Sequence, residues 1–179
     1  MTARSLDLEA NYFPTPDTPG FEPFARAFVH LMFAHAKFER QIRELQSAIA
    51  DTLDTDHIPF GEQPANQLRD SRKRPKLMAK LIRDKLGEIP EEEKIIKCLC
   101  DAIPFGDKRN LLTHGTWWEF KFPTITVARG TVRLGEEQHV SFTVDQIEAI
   151  AEKFGDFEAE LWKLKRSIED RRQSATRHS

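Results

Sequence analysis

Two long stretches of the chain carry apolar residues at alternating spacings of three and four, and this feature constrains the fold most. The spacing is typical of amphipathic helices that bury one face in a bundle. We therefore predict a first helix over about 22–53 and a last helix over about 144–171. Thr143 and Gln146 form a capping box where the last helix starts. Two such helices are expected to pack in an antiparallel bundle.

Proline, glycine and acidic residues mark two shorter helices between these stretches. Pro75 suits the first turn of a second helix, and Gly87 suits its end. A third helix is expected to start at Pro90, because three glutamates follow it and acidic side chains stabilise the positive end of a helix. The stretch 54–68 contains two prolines and a glycine and is expected to form a loop.

The Pro-Phe-Gly sequence at 104–106 is expected to interrupt the third helix. Asp107 can then cap a new helical turn that carries residues 109–114. Gly115 follows this turn and is well placed to end it. The sequence thus predicts a short, separate helical segment at this point of the chain.

After this segment, the apolar spacing changes from the helical period to the alternation of β-strands. Aromatic residues alternate with other side chains over 117–122, and two further short β segments are expected over 124–134 and 139–142. We predict a small antiparallel hairpin or three-stranded meander, which forms a β-insert over about 116–142.

The predicted fold class is mainly α: an antiparallel helical bundle with a small antiparallel β-insert before the last long helix. The length of 179 residues suits one domain, which we place at 21–172. An irregular arm at 1–20 with three prolines precedes it, and a frayed tail at 173–179 follows it.

Composition favours a cytoplasmic protein. No apolar run approaches the ~20 residues that a transmembrane helix requires, so no membrane partner is expected. The first ten residues include two acidic side chains and lack the apolar core of a secretion signal. Cys98 and Cys100 would point about 200° apart on a helix, and no further ligands complete a metal set. We expect two small apolar residues there, and neither a metal nor a cofactor.

Arg109, Asn110 and His114 fall within six residues. They provide a fixed positive charge, an orienting amide and a group that titrates near neutral pH, which together suit phosphodiester cleavage. Asn110 and His114 are four apart and share a helix stripe, whereas Arg109 and His114 point about 140° apart. Either the long arginine side chain swings toward the histidine, or two copies of the motif meet across a dimer.

The sequence Arg-Asn-Leu-Leu-Thr-His at 109–114 resembles the arginine–polar–x3–histidine motif of the HEPN (higher eukaryote and prokaryote nucleotide-binding) superfamily. That family consists of all-α bundles, and many members are metal-independent ribonucleases of toxin–antitoxin, phage-defence or RNA-processing systems. They often work as dimers in which paired motifs form one cleft. The resemblance implies RNA as substrate, no cofactor, a homodimer and an antitoxin or regulatory protein as partner. The β-insert departs from a plain four-helix HEPN domain, which leaves the subfamily open.

The resemblance also implies a mechanism, acid–base transesterification that leaves a 2′,3′-cyclic phosphate. His114 would deprotonate the ribose 2′-hydroxyl or protonate the leaving oxygen. Arg109 would stabilise the charge that develops on the phosphoryl oxygens. Asn110 would orient His114 or the phosphate.

A basic stretch precedes this motif. Residues 69–85 hold eight basic and two acidic side chains, in a chain whose net charge is −2. This face of the second helix is either an ordinary solvated surface or a surface that binds the RNA backbone. The RNA-binding hypothesis involves six side chains: Arg72, Lys73, Arg74, Lys76, Lys80 and Arg83. Trp117 and Trp118 could stack bases, but paired aromatic residues at the start of a strand are more typical of core.

His35 is the one ionisable residue in the first apolar seam, and Glu39 follows one turn later. It is either a neutral core histidine with one hydrogen bond or part of the same polar pocket as His114. The motif has a structural alternative as well, because arginine and histidine near a helix C-terminus stabilise its carbonyl groups and dipole. The second functional hypothesis is therefore a non-catalytic helical module that binds RNA, a nucleotide or a partner protein.

Overall fold

The computed structural model describes residues 14–50, 71–128 and 139–176. These ranges contain, in chain order, α1 (Phe21–Ala50), α2 (Arg74–Leu86), α3 (Glu92–His114), β1 (Thr116–Lys121), β2 (Thr124–Ala128), β3 (His139–Thr143) and α4 (Val144–Thr176). The predicted mainly α bundle with a small antiparallel sheet before the last long helix is confirmed. The predicted loop at 54–68 lies outside the described residues. No helix in the described ranges is both long and apolar enough to cross a membrane.

The apolar seams of α1 and α4 form the centre of the bundle. Leu31, Phe38 and Leu45 of α1 are buried, as are Phe154 and Leu161 of α4. Each such side chain contributes about 1.5–3 kcal/mol on burial. The predicted seams are therefore the buried faces of the two longest helices, and they account for much of the hydrophobic core.

The two longest helices run in the same direction. His30 near the start of α1 pairs with Glu148 near the start of α4, and Glu44 lies 3.3 Å from the Lys165 ammonium much further along both helices. Antiparallel neighbours are α3 and α4, and also α2 and α3. The expected antiparallel packing of the two long helices is thus corrected. A three–four seam can be buried by a helix of either direction, so the spacing alone does not determine it.

The third helix is continuous from Glu92 to His114 and is not interrupted at 104–106. Pro104 lies inside the helix on its exposed side, so the Cys100 carbonyl that loses its helical donor faces water. Buried residues on both sides of the proline, Ala102 and Leu112, hold the two halves against the core. The predicted interruption is wrong, because packing compensates for one missing hydrogen bond.

The helix ends largely follow the predicted signals. The Thr143 backbone N–H donates to Gln146 Oε1 at 3.0 Å, and the Gln146 N–H donates to Thr143 Oγ1 at 3.1 Å, so the capping box is confirmed. Gly87 ends α2 with a φ of 71°. The last helix extends to Thr176, beyond the predicted end, because its C-terminal turns still pack beside α1.

The β-insert is a meander with strand order β1-β2-β3 and antiparallel pairing throughout. The register of β1 shifts just after Trp117. This β-bulge brings Trp117 and Phe120 to the same side, where their rings lie 5.3 Å and 5.5 Å from the Phe24 ring of α1. Simple alternation over 117–122 would instead group Phe120 with Phe122, which is exposed. The sheet is thereby fastened to the start of α1.

Candidate functional site

Polar side chains from three helices meet around a cavity inside the bundle. The cavity has a volume of about 250 Å³, far more than the roughly 10–15 Å³ that one water molecule needs. Its polar wall consists of His35 and Glu39 from α1, Arg74 from α2, and Arg109 and Asn110 from α3, together with Ser71. Apolar side chains complete the wall, among them Phe38, Leu99, Ile103 and Phe154. Two of the three predicted motif residues therefore line one cavity.

Arg74 is a buried charge in the cavity wall. Its side chain is 7% exposed, and its Nη2 lies 3.0 Å from both carboxylate oxygens of Glu39. Breaking such a pair is costly because it leaves an uncompensated buried charge. The sequence placed Arg74 on an exposed RNA-binding face, whereas the start of α2 turns it into the bundle. The two partners lie 35 positions apart, and no local pattern connects them.

Arg109 is only partly satisfied by the protein. Its Nη1 donates to the Asn110 side-chain oxygen at 3.0 Å. Its Nε is buried and has no hydrogen-bond acceptor, and no carboxylate of the described residues pairs with its guanidinium. Buried donors are normally satisfied, so this group is an exception that calls for a partner. Among the described residues of the wall, Arg109 is thus a cation without a carboxylate partner.

His35 contributes a neutral imidazole to the cavity. Burial lowers the pKa of His35, and the positive charge of Arg109 lowers it further. Glu39, whose carboxylate lies 3.6 Å from Nε2, opposes this shift, while Arg74 adds to it. The ring also meets the Phe154 ring edge to face at 5.0 Å. His35 thus lines the polar pocket, as one hypothesis from the sequence held. Its basic neighbours there are Arg74 and Arg109, and His114 is not among them.

His114 lies outside the cavity wall. It is the last residue of α3 and is exposed, one helical turn after Asn110, which is exposed as well. Gly115 follows and donates its N–H to the Leu111 carbonyl at 2.8 Å. Arg109 and Asn110 therefore share a cavity with His35, while Asn110 and His114 share an exposed stripe. Asn110 lies between the two.

Several basic side chains of the predicted face form ion pairs with carboxylates. Arg72 lies 3.2 Å from Asp107, and Arg83 lies 2.7 Å from Glu92. Lys73, Lys76 and Lys80 are exposed along α2. The face therefore carries a smaller excess of positive charge than the sequence indicates, and its role in RNA binding stays a prediction.

Trp117, Cys98 and Cys100 lie outside the cavity. Trp117 donates its indole N–H to the Leu112 carbonyl at 2.9 Å and packs against α1. It thus takes the core position expected for at least one residue of the Trp117–Trp118 pair. Cys98 is buried and Cys100 exposed, both unbridged; burial raises the pKa of the Cys98 thiol to about 12. Within the described ranges, no group of three or more His, Cys, Asp or Glu side chains is placed to hold a metal ion.

The cavity combines one uncompensated guanidinium, a neutral imidazole and a side-chain amide. This set can bind an anion and exchange a proton beside it. Comparison of the chain with models of known protein families, with curated proteins and with solved structures found no match. The residues of this site and their geometry are therefore the basis on which a function can be assigned.

Proposed function

We propose that the protein is a metal-independent endoribonuclease of the HEPN type. The observation that supports this most is the position of Arg109, a cation without a carboxylate partner among the described residues. Arg109 donates a hydrogen bond to the Asn110 side chain. The exposed His114 lies one helical turn after Asn110. A cation that lacks a counter-ion, together with a nearby amide and an exposed histidine, suits a phosphodiester substrate.

In the proposed reaction, the ribose 2′-oxygen attacks the adjacent phosphorus and the bond to the 5′-oxygen breaks. The products are a 2′,3′-cyclic phosphate and a 5′-hydroxyl end. His114 takes the proton of the 2′-hydroxyl or gives one to the leaving oxygen. Arg109 stabilises the negative charge on the phosphoryl oxygens, and Asn110 orients the phosphate or His114.

A homodimer fits this proposal. Arg109 faces the cavity and His114 the surface, so one chain separates the two groups that must act on one phosphate. A second copy of the motif, placed against the exposed stripe of the first, brings a second Asn110 and His114 to that surface, so that one histidine acts as base and the other as acid. An antitoxin or regulatory protein as partner, a cytoplasmic location and a role in defence belong to the same proposal and rest on the motif alone.

The proposal is tested by incubating a mixed RNA pool with the protein in EDTA. The wild type should cleave and leave cyclic phosphate ends. His114→Ala should slow cleavage by about 10²–10⁴-fold, the usual contribution of a general acid or base. Because His114 is exposed, the variant should keep the circular dichroism spectrum and melting temperature of the wild type.

His30→Ala is the matched control, since His30 is also exposed but pairs with Glu148 of α4 and not with a motif residue. It should cleave at the wild-type rate. Equal losses in the two variants would show that His114 has no special role. A folded wild type that binds RNA without cleaving it would also contradict the nuclease.

The second candidate is a non-catalytic helical module that binds RNA, a nucleotide or a partner protein. The exclusion of His114 from the cavity favours this alternative, because Arg109 then acts on a ligand without the motif histidine. The same RNA experiment separates the two, as a module retains binding and shows no turnover.

A further inference from the structure

We propose that the cavity between α1, α2, α3 and α4 binds a phosphate group, with Arg109 as its main anchor and His35 and Asn110 as neighbouring contacts. This goes beyond the proposed nuclease, because a phosphate group can bind here whether or not the protein cleaves RNA. The site is also separate from the exposed basic face of α2. It is lined by residues that range from the buried Arg74 to the exposed Asn110.

The charges around the cavity leave a net attraction for an anion. Among the described residues of the wall, Glu39 supplies the carboxylate, and both of its oxygens lie 3.0 Å from Nη2 of the Arg74 guanidinium. These two charges compensate each other. The charge of Arg109 is then left over, and it acts in a partly buried setting where water screens it less than at the surface.

Hydrogen bonding leads to the same conclusion. The Arg109 Nε is buried and has no acceptor, although a neighbouring donor of the same guanidinium already binds Asn110. A guanidinium presents its N–H groups in a planar fork that matches two oxygens of a phosphate. A phosphate in the cavity can accept from the guanidinium N–H groups that line it, whereas Nε, which has almost no accessible surface, is reached only if neighbouring side chains shift. The other phosphate oxygens can accept from the Asn110 amide or from water.

His35 connects this site to pH. The charged groups that face it are Glu39 on its own helix, Arg74 on α2 and Arg109 on α3, while α4 contributes the uncharged Phe154 ring. The two arginines disfavour the imidazolium. A bound phosphate reverses part of this effect, because its negative charge stabilises a protonated His35. By linkage, phosphate should raise the pKa of His35, and the contribution of His35 to phosphate binding should grow as pH falls, against the loss of charge when the phosphate takes up a proton near its own pKa of about 6.

The size of the cavity permits either of two sources of phosphate. A volume of about 250 Å³ accommodates a phosphate group with several water molecules. The group can be the terminal phosphate of a free nucleotide or a diester of an RNA backbone. These sources share the same recognition chemistry and differ in what is attached to the phosphate.

The test follows the ring signals of His35 by NMR, assigned with His35→Asn, while inorganic phosphate is added over a range of pH. The wild type should show saturable binding and an increased pKa of His35. Arg109→Gln should weaken phosphate binding by about 10- to 100-fold, the value of a hydrogen bond to a charged group. The matched control Lys108→Gln removes an adjacent exposed charge outside the cavity and should stay within about fivefold of wild type.

Two further variants test the proposal even if Arg109→Gln does not fold. Arg109→Lys keeps the charge without the fork and should bind more weakly than wild type. His35→Gln should retain phosphate binding at high pH but lose the contribution of His35 at low pH. Absence of saturable phosphate binding, or equal binding by the wild type and both Arg109 variants, would overturn the proposal.

A 5′-mononucleotide and an all-2′-deoxy oligonucleotide without terminal phosphates identify the source. The deoxy chain lacks the 2′-hydroxyl and cannot be cleaved by transesterification, so binding is measured without turnover. Tighter Arg109-dependent binding of the mononucleotide assigns the site to a free nucleotide, and the reverse assigns it to the backbone. If the wild type binds phosphate but does not cleave RNA, the proposed nuclease function is contradicted and the phosphate site stands. If it cleaves RNA but does not bind phosphate, the phosphate site is overturned and the nuclease proposal stands.

Discussion

Gly115 is the residue where α3 gives way to β1, and it has almost no free space around it. A Cβ atom at this position would lie 2.4 Å from Val127 Cγ1 of β2 and 2.5 Å from the Leu111 carbonyl oxygen. Its backbone is extended, with a φ of −74°, so steric space and not backbone conformation requires glycine here. The absent side chain lets the sheet approach the end of α3 closely.

Gly115→Ala should therefore lower the free energy of unfolding by about 1–3 kcal/mol, the usual cost of overpacking, measured by urea denaturation. Gly155→Ala is the matched control. Gly155 is an exposed residue inside α4 with nothing within 4 Å of an added Cβ, so alanine should stabilise the protein by about 0.5–1 kcal/mol. Equal effects of both substitutions would contradict close packing at Gly115.

At the residue scale, sequence reasoning found part of the cavity site. Arg109 and Asn110 are neighbours in the chain, and their joint contribution follows from local spacing alone. The sequence also identifies His35 as an ionisable residue within an apolar seam. Its proximity to Arg109 depends on how α1 packs against α3, and no local pattern encodes that packing.

The start of α4 illustrates how much an element depends on its ends. The backbone N–H groups of Thr143 and Gln146 each bind the side chain of the other residue. Thr143 is also the last residue of β3, so one residue ends the sheet and starts the longest helix. The capping box thus fixes the angle between two elements as well as satisfying helical donors.

Thr143→Ala should lower the free energy of unfolding by about 0.5–2 kcal/mol, because it removes the cap acceptor. Chemical denaturation followed by circular dichroism measures this loss. Ser174→Ala provides the control, since that hydroxyl bonds a carbonyl in the exposed last turns of the same helix. It should change stability by less than about 0.5 kcal/mol. A Thr143→Ala effect no larger than this would show that the cap contributes little.

At the element scale, local signals predicted helix ends better than helix continuity. Gly87, Gly115 and the capping box are short patterns whose physical effect is confined to a turn. The consequence of Pro104 depends on its surroundings. A proline ends a helix when the free-energy cost of the missing hydrogen bond is larger than the gain from packing. In α3 the burial of the flanking turns outweighs that cost.

On the scale of the whole molecule, Glu91 connects the start of α3 to the end of α4. Its side chain is 8% exposed and accepts from Ser167 Oγ at 2.6 Å and Arg171 Nη2 at 2.9 Å. Burial alone would raise the pKa of Glu91, but these hydrogen bonds outweigh it and lower the pKa. The folded state therefore favours the carboxylate more than the unfolded state does.

Glu91→Gln should lower the free energy of unfolding by about 1.5–3 kcal/mol at neutral pH. The sign follows from linkage: with a lowered pKa in the fold, the contribution is present above the ordinary value of 4.5 and is lost as pH falls through the folded pKa. Urea unfolding at a series of pH values should therefore show the wild type and Glu91→Gln converging in acid.

Asp101→Asn is the control for this pH dependence. Asp101 pairs with Lys97 on the surface and is 49% exposed, so the substitution should cost less than about 1 kcal/mol at neutral pH. A constant difference between wild type and Glu91→Gln at every pH would show that the lost contact is not electrostatic.

The whole architecture was only partly predictable. The two long helices and the β-insert follow from the period of apolar residues, which each segment carries by itself, whereas the continuity of α3 does not. The direction of α4 relative to α1 does not, because it depends on the path of the chain through α2, α3 and the sheet. The ion pair of Glu44 with Lys165 fits the parallel arrangement, but only the assembled bundle brings these residues together.

The parallel pairing of α1 and α4 has a consequence for biosynthesis. The two helices bury each other's seams, yet contacting residues such as His30 and Glu148 lie 118 positions apart. A ribosome makes α1 first, and the part of its apolar face that packs against α4 stays uncovered until the last helix has emerged. Contacts of such sequence separation also slow folding. The nascent chain should therefore need a chaperone, or a transient partner for α1, during most of its synthesis.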